Sequence, residues 1–242
     1  MTPRDIITAN IECADPERIG FQFGGNEGWR YDMTSAGCEH GIEIRRWEEG
    51  DFELYTDIWG NLWHRLKSLS LGGEIRKPIL ENWSDLDNLQ MPDLTDPAFY
   101  DQARQLGSSE ANLFRIGWMP GWPFAVCRYM RRMEVYFVDL VTERERIDIL
   151  HDRVTSLLEG VIDRFGEAGL DGIMFCEDLG VQDRLLMSPQ MWRDIFRPLY
   201  ERLTSRAHAH GMKVIQHSCG CNWELIDDLC ESGIDCLQFD QP

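Results

Sequence analysis

No run of the 242-residue sequence approaches the roughly 18 apolar residues needed to cross a bilayer, and its opening, MTPRDIITANIECADPERIG, is too charged for a signal peptide. The expectation is a soluble, cytoplasmic protein without a membrane partner. Positive charge is also scarce. Against 42 Asp and Glu stand 24 Lys and Arg, a formal net charge of −18. Nucleic-acid binders need clustered cations that release counterions from phosphates, so this balance argues against a nucleic-acid partner. A disulfide framework is lacking as well. The eight cysteines are scattered through a chain with no secretion signal, and most read as buried thiols. There is no internal repeat. Gly24, Gly25 and Gly28 lack the following helix that a phosphate-binding fingerprint requires.

What is present is alternation. Thr2-Pro3-Arg4-Asp5 supplies a cap, a proline for the first turn and a dipole-favoured acid, which predicts a helix to about Cys13. Ile19, Phe21 and Phe23 alternate, predicting a first strand at 18–24. Residues 25–95, rich in Gly, Trp and charge, read as an excursion of small strands and turns, and Asp96-Pro97 opens a helix to about Leu106. Beyond Asn112, strands at 112–118, 170–176, 212–217 and 234–239 alternate with helices at 123–141, 143–168, 188–210 and 222–231. Such alternation predicts a parallel sheet with functional groups at the carboxyl ends of its strands. The expected fold is therefore α/β, a (β/α)8 TIM-like barrel in one domain over 1–242. The expectation is a barrel cut off after about five strands, because a closed one needs about eight.

The segment Met212-Lys-Val-Ile-Gln-His-Ser-Cys-Gly-Cys221 carries the densest chemistry. In an extended chain residues i and i+2 share a face, so His217 and Cys219 can grip one zinc ion. Spacing alone leaves a second reading open, a hydrogen-bonded histidine beside a small buried thiol, since two ligands do not fix a tetrahedral ion. Glu177 and Asp178 follow another strand and are candidates for catalytic acid/base or ligand roles, or for solvated charges at a helix start. Asp240 follows the last strand, and Trp118 ends an earlier one. Both are candidate substrate contacts. The tryptophans at 29, 47, 59, 63, 118 and 122 either line a pocket for a flat ligand or pack the core. His208 and His210 point different ways from a helix and read as surface. Arg128, Arg131 and Arg132 share a helix face, expected to be solvated.

Ala168-Gly-Leu-Asp-Gly-Ile-Met-Phe-Cys-Glu-Asp-Leu-Gly180, Leu186-Met-Ser-Pro-Gln-Met-Trp-Arg-Asp-Ile-Phe-Arg-Pro198, His217-Ser-Cys-Gly220 and Gly233-Ile-Asp-Cys-Leu-Gln-Phe-Asp-Gln-Pro242 together resemble the uroporphyrinogen decarboxylase superfamily. More closely they resemble its cobalamin-dependent branch, such as methylcobamide:coenzyme M methyltransferase. The resemblance is weak over residues 2–24 and good over 112–242. It implies a distorted (β/α)8 barrel. It also implies a zinc held by a His-x-Cys pair, here His217 and Cys219, and by a further cysteine, with the zinc-bound thiolate of the acceptor taking a methyl group from a corrinoid carried by a partner protein.

The chain departs from that pattern in three places. The further cysteine would fall past Pro242, along with the last three strands. Cys221 stands where relatives carry Asn and is either a substitute thiolate or a variable loop residue. Where decarboxylases have an arginine-rich segment for the carboxylates of the tetrapyrrole, this chain reads Phe23-Gly-Gly-Asn-Glu-Gly-Trp29. The expected function is a zinc-dependent methyltransferase acting on a thiol and a methyl-corrinoid or methylated small molecule. The alternatives are uroporphyrinogen decarboxylase, or an inactive or split barrel fragment that would self-associate or dock with a complementing chain.

Overall fold

The computed structural model describes residues 1–22, 31–69, 72–109 and 112–240. Its helices are α1 (Pro3–Ile11), α2 (Asp101–Ser109), α3 (Pro123–Arg131), α4 (Met133–Thr142), α5 (Arg144–Glu167), α6 (Pro189–Ile195), α7 (Arg197–Ala209) and α8 (Ile226–Glu231). Its strands are β1 (Met33–Ala36), β2 (Arg46–Glu49), β3 (Phe52–Thr56), β4 (Leu62–Leu66), β5 (Glu74–Lys77), β6 (Phe114–Trp118), β7 (Gly172–Cys176), β8 (Lys213–Ser218) and β9 (Cys236–Phe239). Two compact units emerge: Met1–Glu39 with Leu94–Trp122 and Leu157–Pro242, and His40–Asp93 with Pro123–Ser156. No helix among the described residues is long and apolar enough to cross a membrane.

The first unit is a parallel sheet in the order β1-β6-β7-β8-β9. The order never reverses: each strand in chain order adds to the same side of the sheet. This is the wall of a (β/α) barrel and not a doubly wound sheet, whose order turns back at a switch point. The capping box of Thr2 and Asp5 starts α1 as its residues predict. Ile7 of α1 packs on Phe114, Ile116 and Ile215. At the strands' entry, Arg115 donates from Nε and Nη2 to Asp171 at 2.8 and 2.9 Å, a buried fork that ties β6 to the start of β7.

Three of the expected elements need correction, as does the burial of the cysteines, of which only Cys127 is buried. The first sheet strand is not at 18–24. Residues 19–21 carry no strand, Gln22 forms an isolated bridge to Tyr31, and 23–24 lie outside the described residues, as does Trp29. The strand is β1, inside the stretch expected to be an excursion. Asp32, wholly buried, accepts both Arg18 Nη atoms at 2.6 and 2.7 Å and the amide of Phe21, which fixes the entry to β1. The helix expected at 188–210 is two, α6 and α7, because Pro198 has no N–H to give the carbonyl of Asp194. The helix expected at 123–141 is likewise two, broken at Arg132 with φ +65° and ψ 140°.

In the second unit β2 to β5 form an antiparallel meander, in keeping with the expected small strands and turns. Asp57 organises it, accepting from the amides of Trp59 and Asn61, from Asn61 Nδ2 and from Trp63 Nε1 at 2.7–2.9 Å. The arginine face expected to be solvated is mostly buried. Arg131 forks onto Asp139 at 2.6 and 2.9 Å and caps the carbonyl of Leu80, while Arg128 lies 4.9 Å over the rings of Phe124 and of Tyr129. A carboxylate and two aromatic faces thus replace water around these guanidinium groups.

Candidate metal and substrate site

Register decides what meets at the carboxyl end of the sheet. Trp118, Met174, Ile215 and Cys236 are successive Cα partners across β6 to β9. One row further along, Cys176, His217 and Gln238 are partners in the same way. Because side chains alternate along a strand, both rows lie on the same face, apolar below and polar above.

Just beyond the polar row, the loops after β7 and β8 meet at two glycines. A Cβ on Gly220 would fall 2.4 Å from the backbone of Gly180, and one on Gly180 would fall 2.5 Å from the carbonyl oxygen of Cys221. Gly220 also has φ +82°. Only glycine permits that approach in that conformation. The amide of Cys221 donates to the carbonyl of Val181 at 2.8 Å, locking the two loops together.

That crossing brings Asp178, His217 and Cys219 into one group, their ligand atoms all within 4.8 Å of one another. Cys219 Sγ lies 3.3 Å from His217 Nε2, and the Cys219 amide donates to Asp178 Oδ1 at 2.9 Å. The other imidazole nitrogen, Nδ1, lies 2.8 Å from Gln238 Oε1, and the Gln238 amide nitrogen reaches Asp240 Oδ1 at 3.5 Å. A carbonyl oxygen accepts, so Nδ1 carries the proton and Nε2 offers its lone pair to the thiol side. Asp240 Oδ2 is 3.9 Å from Cys219 Sγ. Burial first, then the charge of Asp178, raises the pKa of Cys219. Burial followed by Asp178 and Asp240 does the same for Cys176. A cation among these groups would reverse the electrostatics and favour the thiolate. Imidazole nitrogen, sulfur and carboxylate oxygen form a donor set that suits zinc.

Glu177 points elsewhere. It has the parity of Phe175, is buried, and accepts a hydrogen bond from the Tyr200 hydroxyl at 2.5 Å on the helix side of the sheet. Its amide donates to the carbonyl of His217 at 2.9 Å, continuing the β7–β8 ladder. Burial and the Glu177 charge push the Tyr200 pKa well above that of an ordinary phenol. Cys221 is half-buried and outside the three-donor group. Trp118, 38% exposed, stands at the end of the apolar row, while Trp122 is buried and stacks on Phe175 at 3.8 Å. His208 and His210 hydrogen-bond to Asp235 and Asp163 on the outside of the unit. Sequence reasoning missed Gln238. Its place in phase with Asp240 is visible in the sequence, but its position opposite His217 depends on strand register.

Below the polar row the face opens into a cavity of about 510 Å³, lined by Trp118, Met174, Ile215 and Cys236 from the sheet and by Ile7 and Ile11 of α1, among others. Gln238 belongs to both levels, lining the cavity and holding His217.

The model of the uroporphyrinogen decarboxylase family matches residues 69–242. A solved methyltransferase from Methanosarcina mazei has the same fold, with a TM-score of 0.58 and 16% sequence identity. The match covers 98% of this chain, which spans 62% of that one. No curated protein sequence matches.

Proposed function

Since the chain belongs to the uroporphyrinogen decarboxylase family, we propose that it is a zinc-dependent methyltransferase, moving a methyl group from a corrinoid on a partner protein, or from a methylated small molecule, to a thiol. The single observation that carries this reading is the donor group of Asp178, His217 and Cys219, with His217 held by Gln238 in the tautomer that leaves Nε2 to bind a metal. Zinc bound there would supply a Lewis acid that lowers the pKa of an acceptor thiol without redox chemistry of its own.

The chain's own residues then have distinct tasks. His217 and Cys219 provide soft donors, and Asp178 fixes the Cys219 amide while offering a third donor atom. Glu177, braced by Tyr200, is a positioning residue that keeps β7 in register with β8. Asp240 orients Gln238 at the mouth of the site, and Trp118 borders the bound substrate. In the transfer, the acceptor thiol loses its proton to solvent and its sulfur lone pair forms the S–CH3 bond. The electron pair of the broken bond stays with the methyl carrier.

Metal analysis tests the reading. Protein expressed with zinc should carry about one equivalent, and Cys219→Ser should lose most of it, because removing one of so few protein ligands lowers affinity by orders of magnitude. Zinc content that is unchanged in Cys219→Ser would overturn the assignment.

A further inference from the structure

The cavity beneath the donor group constrains what the site can accept. Its described lining contains no charged side chain: the polar members are Asn10, Gln22 and Gln238, and the rest are apolar residues, a glycine and a cysteine. The charged side chains bonded to the groups around the polar row, Asp178 and Asp240, are both negative. A carboxylate or sulfonate among these described residues would exchange its hydration for a lining that offers it no cation, at a cost of several powers of ten in affinity. An uncharged hydrocarbon body would meet Met174, Ile215, Cys236 and Trp118 on one side and α1 on the other, in a volume of the size that holds small organic ligands. The two rows share one face and succeed each other along the strands. A single compound can therefore place its apolar body on the lower row and its reacting atom at the upper one.

We infer that the small molecule handled here is uncharged and apolar, a neutral thiol or methyl compound with a hydrocarbon body, seated between α1 and the row Trp118-Met174-Ile215-Cys236. This rests on the methyltransferase reading for the chemistry at the head and on the cavity alone for the body.

Straight-chain alcohols from butanol to octanol, titrated calorimetrically into the zinc-free full chain, test the body. The dissociation constant should fall about fourfold per added methylene until the cavity is filled. Hexanoate should bind at least about thirtyfold more weakly than hexanol. Met174→Trp, which fills the space, should abolish the gradient. Trp118→Ala, which removes the ring at the end of the apolar row, should extend the gradient to longer chains. Hexanoate binding as tightly as hexanol, or a gradient unchanged in both variants, would overturn the inference. The head is tested separately in cobalt(II)-loaded protein. There 1-hexanethiol should produce a sulfur-to-metal absorption band at a concentration at least about tenfold below that needed for 2-mercaptoethanesulfonate, and the reverse order would also overturn it. Since the alcohol series uses no metal, a failed gradient leaves the zinc assignment standing. Loss of metal binding with an intact gradient removes the methyltransferase reading instead.

Discussion

His151 shows what burial does to a single titratable residue. It is 2% exposed and shares a 2.5 Å hydrogen bond with the Tyr136 hydroxyl, and desolvation lowers its pKa from 6.5 to about 4. Above pH 6.5 both folded and unfolded chains hold it neutral, and it costs nothing. Between pH 6.5 and 4 the unfolded chain takes up a proton that the folded chain refuses, so stability falls with pH by about 2 kcal/mol at pH 5 and about 3 kcal/mol once pH 4 is passed. Denaturation midpoints measured from pH 7 to 4.5 should therefore fall less steeply in His151→Gln than in the parent chain. Parallel slopes would show that other groups dominate. Individual residues were legible in the sequence wherever side-chain alternation sufficed. His217 and Cys219 could be placed on one face from their spacing, whereas choosing between Glu177 and Asp178 required knowing where β7 ends and which parity its last residue has.

At the scale of elements, two junctions show strain and fit at opposite extremes. Arg132, between α3 and α4, is a side-chain-bearing residue in a region of φ and ψ that favours glycine, at a typical cost of about 1–3 kcal/mol. Its ion pair with Glu134 is largely exposed and adds little. Arg132→Gly should raise Tm by about 2–4 °C for each kcal/mol of strain relieved, and a lower Tm in a thermal melt would refute this. Gly220 lies at the opposite extreme, where any Cβ collides with Gly180. Gly220→Ala should cost about 2 kcal/mol or more and, by parting the loops, weaken zinc binding in a competition assay. Retention of both properties would show that the loops tolerate separation. Cap and stop signals made α1 and α5 readable in the sequence. β1 was not, because four residues give no period to detect and its location is set by the distant pairing of Arg18 with Asp32.

The whole molecule carries a net charge of −18, distributed over many ion pairs but not neutralised by them. Raising the salt from about 10 to about 150 mM shortens the screening length from about 30 to about 8 Å and relieves this self-repulsion. Tm should rise by a few degrees, about 2–4 °C for each kcal/mol gained. A Tm insensitive to salt would mean that local pairs already cancel the long-range field. The parallel order of the sheet was readable from the alternation of strand and helix, since sequential right-handed crossovers leave few topologies open. The antiparallel meander was readable only as an excursion, for strands of four or five residues carry little periodic signal.

The two-level face also separates tasks along one short stretch of chain. Substitutions at 174, 215 and 236 change the shape of the space below, while the groups at 176, 217 and 238 keep their places above. The shape of the lower space is therefore open to single nucleotide changes that leave the polar row unaltered. A one-residue insertion within β8, by contrast, would exchange its inward and outward residues and remove both at once.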